Sequence, residues 1–254
     1  MTRTRHPVQP LRSVDGRLAP TSLGWRSEIS GLSMGRQSFD VPNKLESNRL
    51  STLPLVWWFA VALVPLVASQ VIRLHQHQAA GWLLWDYAGR ITALAILAVV
   101  PSARAAAFET SERRISLFEI GFWIIGISLL ERLSQWPRRF INATFQATVL
   151  GQYPYPTGWL NVFDLIFGLA LVAASEEIIF RRYLRNVLHP HVGGGALAVL
   201  ITSILFGAYH WWAGLGNVLL ATMIGSLFML MLRRSGALWP LIVAHYLVDL
   251  IAFA

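Results

Sequence analysis

Cysteine is absent from the 254 residues, which excludes a disulfide framework, a thiolate zinc centre and a cysteine nucleophile. Charge is scarce too: Asp, Glu, Lys and Arg make up 13% of the chain, against about 25% in soluble domains. Lysine occurs once, at Lys44, so the formal charge of +8 is almost wholly arginine. The scarcity is uneven, because 12 of the 34 charged residues lie in the first 50 positions. The remaining basic residues sit between apolar runs, as in loops beside an anionic leaflet. A nucleic-acid partner is therefore not expected.

What the chain has in abundance is apolar surface. Hydrophobic residues reach 55%, with 11 Trp, 13 Phe and 6 Tyr, and the mean hydropathy is +0.50. Apolar runs near 20 residues match the thickness of a bilayer. The expected fold class is an all-α integral membrane protein, a polytopic bundle of about seven transmembrane helices. Residues 1–50, rich in Ser, Arg, Gly and Pro, read as a disordered basic tail, and residues 51–254 as the bundle. The tail's Arg and Ser bias resembles a transit peptide, but Asp15, Glu28, Asp40 and Glu46 argue against one.

The apolar segments fall at roughly 53–72, 82–101, 115–130, 159–180, 195–212, 213–232 and 237–254. An interfacial loop, Glu131 to Gly158, separates the third from the fourth. Counting basic residues in short loops orients the bundle. With the N-terminus inside, the inner side holds ten: Lys44, Arg49, Arg104, Arg113, Arg114, Arg181, Arg182, Arg185, Arg233 and Arg234. The outer side holds four: Arg73, Arg132, Arg138 and Arg139. The expected location is an integral membrane one, a prokaryotic inner membrane, with a cytosolic N-terminus.

Ionisable groups inside hydrocarbon are costly, so those within the spans form the functional shortlist. Asp86 and Arg90 stand one helical turn apart and read as a structural ion pair. Glu119 and Asp164 lie near segment starts, where carboxylates favour a helix N-terminus and reach water. His75, His77, His189 and His191 read as solvated loop residues, and Asn142-Ala143-Thr144 as a chance glycosylation pattern. Glu176 and Glu177 differ, being adjacent carboxylates in an apolar span with no cation nearby except the arginines that follow. Glu177 and Arg181 share a helix face, while Glu176 points about 100° away. Glu176 is thereby the candidate general base, with Glu177 and Arg181 as its support. His245 and Asp249 share one face of the last segment, and His210 stands either in a cavity or in an aromatic belt beside Trp211 and Trp212.

Three motifs then occur in order on successive segments: Glu-Glu-x-x-x-Arg at 176–181, Phe-x-x-x-His at 206–210 and His-x-x-x-Asp at 245–249. Together they resemble the CAAX prenyl protease and bacteriocin-processing (CPBP, or Abi) intramembrane protease family, over a core at about 159–254. The resemblance implies hydrolysis of a peptide bond in a membrane-associated peptide or protein substrate, by a water that Glu176 and His210 activate. It assigns His245 and Asp249 to the oxyanion side, Glu177 and Arg181 to ordering Glu176, and Phe206 to packing against it. Relatives are described both as glutamate-dependent and as metalloproteases. A divalent metal such as zinc has Glu176, His210, His245 and Asp249 as its candidate ligands. Eukaryotic-type members carry Asn where this chain has Asp249 and many bacterial relatives carry either; an ionised Asp cannot donate to an oxyanion, so Asp249 is protonated, orients His245 or binds a metal, which modestly favours the metal reading. Leader peptides, sorting tails or small membrane proteins are the expected substrates. The alternatives are a catalytically silent binding or immunity protein, and a proton- or metal-coupled carrier using the same buried groups.

Overall fold

The computed structural model describes residues 52–109 and 116–254. The expected tail at 1–50, Arg113 and Arg114 lie outside the described residues. Those described are helical, with no strand among them.

Helices α1 (Thr52–Arg73) and α2 (Ala79–Val99) form a hairpin across a five-residue turn at 74–78. Small residues let the two backbones meet, since a Cβ at Gly89 would lie 2.8 Å from the Pro65 carbonyl. A short helix α3 (Pro101–Phe108) follows, started by a proline whose missing N–H costs nothing there. Helix α4 (Leu117–Thr144) begins at Ser116, whose hydroxyl accepts from the Glu119 amide at 3.1 Å, so Glu119 does mark a helix start.

Two sequence expectations fail around α4 and its successor. Residues 131–144 continue the helix through Pro137 and leave only 145–157 as the connection. Polar residues in this stretch broke the apolar run without breaking the helix, because Glu131 turns inward and bonds Arg138 at 2.6 Å. The second failure concerns His189 and His191. They end a helical path, α5, running unbroken over 158–192. Its α-helical stretches are Gly158–Phe163, Leu169–Glu176 and Leu184–Val192, and wider π turns at Asp164–Gly168 and Glu177–Tyr183 join them. Such π turns gather at functional sites. Helices α6 (Ala196–Tyr209), α7 (Leu215–Ser235) and α8 (Trp239–Phe253) complete the chain.

Three helices are long and apolar enough to cross a membrane: Pro54–Arg73 of α1, then α2 and α7. Helices α6 and α8 are apolar but shorter, at 14 and 15 residues. The expected count of seven therefore resolves into three clear spans and two shorter apolar helices. Helix α5 departs from the pattern because its two π turns leave α-helical stretches of only 6, 8 and 9 residues, and α4 because it carries Glu119, Glu131, Arg132, Arg138 and Arg139. Large apolar side chains instead face outward, among them Trp57, Val64, Leu84, Phe122, Ile125 and Met223. In water such a surface would aggregate, and in a bilayer it meets lipid.

The interior has two apolar cores. One gathers Phe59, Leu66, Leu97, Phe180, Tyr183, Phe206 and Tyr209; the other gathers Ile127, Phe228, Met229, Met231 and Leu241. Helices α6 and α7 meet so closely at Gly207 that a Cβ there would lie 2.6 Å from the Val218 carbonyl. Gly207→Val is expected to destabilise the bundle by about 1–3 kcal/mol through overpacking. Unfolding in a graded sodium dodecyl sulfate titration measures this, and an unchanged midpoint would refute the contact.

Candidate active site

Glu176 ends the middle α-helical stretch of α5 and is 2% exposed. Its Oε1 accepts from Arg90 Nη1 at 2.8 Å. Its Oε2 is buried with no hydrogen-bond partner. That bare oxygen faces two imidazoles, lying 3.9 Å from His210 Nε2 and 3.8 Å from His245 Nε2. Both rings are oriented from behind. His210 Nδ1 donates to the Phe206 carbonyl at 2.9 Å, and His245 Nδ1 donates to Glu177 Oε1 at 2.8 Å. A carbonyl can only accept, so His210 Nδ1 carries hydrogen, and in both rings Nε2 turns to the site. Asp249 Oδ2 lies 3.6 Å from His245 Nε2, one turn along α8. The structure thus brings Glu176, His210, His245 and Asp249 to one place, and His210 stands in the cavity.

Glu177 and Arg181 lie just outside this circle, both with no solvent exposure. Their ion pair spans 3.5 Å, too long for a hydrogen bond under strong geometry. The Arg181 guanidinium is held mainly by stacking, 3.6 Å from the centre of the Phe206 ring. The expectation that Glu177 supports Glu176 thereby takes a different form, since Glu177 orients His245 and touches Glu176 only through the chain.

Sequence reading missed the groups that come from α1 and α2. No cation was expected beside Glu176 before Arg181, yet Arg90 reaches it across the bundle. The Asp86–Arg90 pair forms as its spacing implies, at 2.8 Å, but Asp86 also bonds Arg73. Gln70 of α1 donates to the Tyr209 carbonyl at 2.9 Å and accepts from the Trp211 indole at 2.8 Å, pinning the chain on both sides of His210. A lone Gln in an apolar span was the available signal. Gln70→Leu, close in size but without these bonds, is expected to loosen the chain around His210 while keeping the protein folded. Amide hydrogen exchange at residues 209–212 measured beside thermal unfolding tests this, and unaltered exchange would contradict it.

A cavity of about 650 Å³ reaches this cluster from the surface. Its deep wall includes Leu169, Val172, Phe228 and Val248, and its mouth includes the exposed Arg139, Gln152 and Tyr155. The 145–157 connection borders that mouth, tied down by the Leu150 and Gly151 amides, which donate to the Trp212 carbonyl at 3.0 Å. Asp164, expected to reach water, is buried and accepts from the phenols of Tyr87 and Tyr153. Burial and that carboxylate hold the Tyr153 phenol well above its ordinary range, so it stays a donor.

A metal is the natural test of such a donor set. Two ligands of a tetrahedral zinc with bonds near 2.0–2.1 Å stand about 3.4 Å apart. The 3.6–3.9 Å gaps here are wider, and one oxygen of Glu176 is committed to Arg90. Among the described residues, no group of three or more His, Asp or Glu side chains is arranged to hold a metal ion. As they stand, the four residues do not fit a closed metal site, whereas the buried Glu176 Oε2, with no hydrogen-bond partner, is placed to accept from a water.

A buried carboxylate and two imidazoles thus line one cavity, in a chain with helices apolar enough to span a bilayer. Residues 157–251 match the family model described as type II CAAX prenyl endopeptidase Rce1-like, in keeping with the CPBP/CAAX resemblance of the three motifs. The match begins at the start of α5 and leaves α1–α4 outside. No curated protein and no solved structure matches the chain. The protein is an integral membrane protein whose segment 157–251 is similar to that family model.

Proposed function

We propose that the protein is an intramembrane endopeptidase that cleaves membrane-associated peptides or proteins bearing a leader or tail. One observation carries this reading: the partnerless Oε2 of buried Glu176 faces two oriented Nε2 atoms in a cavity open to the surface. A water in that gap gives its proton to Glu176 Oε2 while the His210 Nε2 lone pair holds it in line. Its oxygen attacks the scissile carbonyl carbon, forming the new C–O bond and pushing the carbonyl electrons onto oxygen. When both its nitrogens carry hydrogen, His245 donates from Nε2 to that oxyanion. Glu177, which accepts from Nδ1, orients His245, and Asp249 sets a carboxyl group beside its Nε2. Collapse breaks the C–N bond, and the proton on Glu176 passes to the leaving amine, restoring the site.

Because no step passes through a metal, hydrolysis by the purified, lipid-reconstituted protein is expected to survive 1,10-phenanthroline. The assay follows new peptide termini in detergent-solubilised host membrane proteins. Loss of activity restored by zinc would replace this mechanism with a metal-dependent one. The matched family model is named for prenyl endopeptidases; the apolar deep wall of the cavity accommodates an apolar side chain whether or not it carries a lipid.

The count of basic residues assigns the N-terminus to the cytosol and so sets the cavity mouth on the opposite face. The absence of native cysteine makes this directly testable. Gln152→Cys at the mouth is expected to react with a membrane-impermeant maleimide in intact cells, and Arg104→Cys only after lysis. The reverse pattern would invert the topology.

A further inference from the structure

Glu176 belongs to the segment that matches the protease family, but what holds it does not. Among the described residues, the one guanidinium bonded to Glu176 is that of Arg90, on α2. Arg181, the cation of its own segment, is spent on Glu177 and the Phe206 ring. We propose that Arg90 is a positioning residue of the hydrolytic site, fixing the Glu176 carboxylate by one oxygen so that the other alone meets water and the two imidazoles. This deepens the proposed endopeptidase reading and rests on it.

The geometry is that of a clamp held at both ends. Arg90 Nη1 bonds Glu176 Oε1 at 2.8 Å and Ser175 Oγ at 3.0 Å, and Ser175 in turn donates to the Val172 carbonyl at 2.9 Å. The two bonds therefore fix the helix turn that presents Glu176 as well as its carboxylate. At the other end, Arg90 Nε bonds Asp86 Oδ2 at 2.8 Å, while Asp86 Oδ1 accepts from Arg73. The Arg73 guanidinium lies 4.2 Å from the Trp82 ring centre and 4.4 Å from that of Trp212. Its position is thus set by flat aromatic faces rather than by a flexible stem. Beside Arg90 in sequence, Gly89 admits the close crossing of α1 and α2 that carries Arg73 and Asp86 within reach of each other.

Every member of this chain is nearly fully buried: Arg73 at 2%, Asp86 at 3%, Arg90 at 4% and Glu176 at 2% exposure. A buried charge row of this kind gives little net stability over apolar packing. What it gives is direction. A guanidinium has a rigid planar fork, so bonding Asp86 through Nε determines where Nη1 points. Glu176 cannot rotate to offer Oε1 to the water without breaking its bond to Arg90.

The test compares full-length wild type, Arg90→Ala, Arg90→Lys and Glu176→Gln at equal abundance in host membranes. The readout is the formation rate of the peptide termini that Glu176→Gln loses. Arg90→Ala is expected to slow their formation about 100-fold, the scale of a small misplacement of a reacting group. Millimolar guanidinium chloride, entering through the cavity that Arg90 lines, should restore part of the rate, whereas tetramethylammonium, with no N–H to donate, should not. Arg90→Lys, which keeps charge but loses the fork, should fall between. A wild-type rate in Arg90→Ala overturns the inference, as does a deficit that guanidinium leaves unmoved while thermal stability drops. Should Arg90→Ala fail to accumulate, Arg90→Lys decides alone: a reduced rate at native stability supports the clamp and a wild-type rate overturns it. If Glu176→Gln itself loses no terminus, the endopeptidase reading fails first, and the two failures are distinguishable.

Discussion

Replacing Arg181 with Met is expected to destabilise the bundle by about 3–5 kcal/mol, because it strands the fully buried Glu177 without its cation. Arg181 is the largest fully buried side chain described, and none of its guanidinium nitrogens has a hydrogen-bond partner. Its place rests on Glu177 and on the rings of Phe206 and Phe228, whose centres lie 3.6 Å and 5.8 Å away. The sign of the effect is separable from simple loss of packing. In the double variant Arg181→Met with Glu177→Gln, the stranded charge is gone while Gln still accepts from His245. Much of the lost stability should return, even though two native groups are missing. Chemical unfolding in detergent measures both variants, and equal stability for single and double would contradict the argument. Gly225 adds a constraint, since a Cβ there would meet Phe206 at 3.0 Å and Arg181 at 3.2 Å.

Glu176→Gln carries the largest expected effect on rate, a fall of about 10²–10⁴-fold, the usual worth of a general base. The amide is the same size and still accepts from Arg90, so unfolding temperature and abundance should hardly change. Activity lost together with stability would recast Glu176 as structural. The contrast with Arg181 is the useful one: adjacent turns of one helix should separate into a residue that governs turnover and one that governs folding.

The sequence was most legible where chemistry and helical spacing coincide. His245 and Asp249, four apart, do meet on one face, and Asp86 and Arg90 do pair. The three motifs named the helices that supply the cluster, and residues 157–251 match the family those motifs resemble. What remained hidden were contacts between distant segments. Nothing local marks Arg90 as a partner of a glutamate 86 positions later. Nor does spacing reveal that Glu177 faces His245, because the π turn beginning at Glu177 departs from the 3.6-residue period on which face arguments rest. Hydropathy misjudged α4 for a related reason, since a helix whose polar residues turn inward looks like a loop when composition alone is averaged. Asp164 was read as facing water because its two tyrosine partners come from α2 and from the 145–157 connection.

The central claim is that Glu176, oriented by Arg90 and facing His210 and His245, hydrolyses peptide bonds within the membrane. Its most direct test is quantitative mapping of peptide termini in host membranes from cells carrying wild type, Glu176→Gln or His210→Ala at equal abundance. The account predicts a small set of termini present with wild type and lost together in both variants, which would also reveal the substrate. An identical set of termini in all three would contradict it.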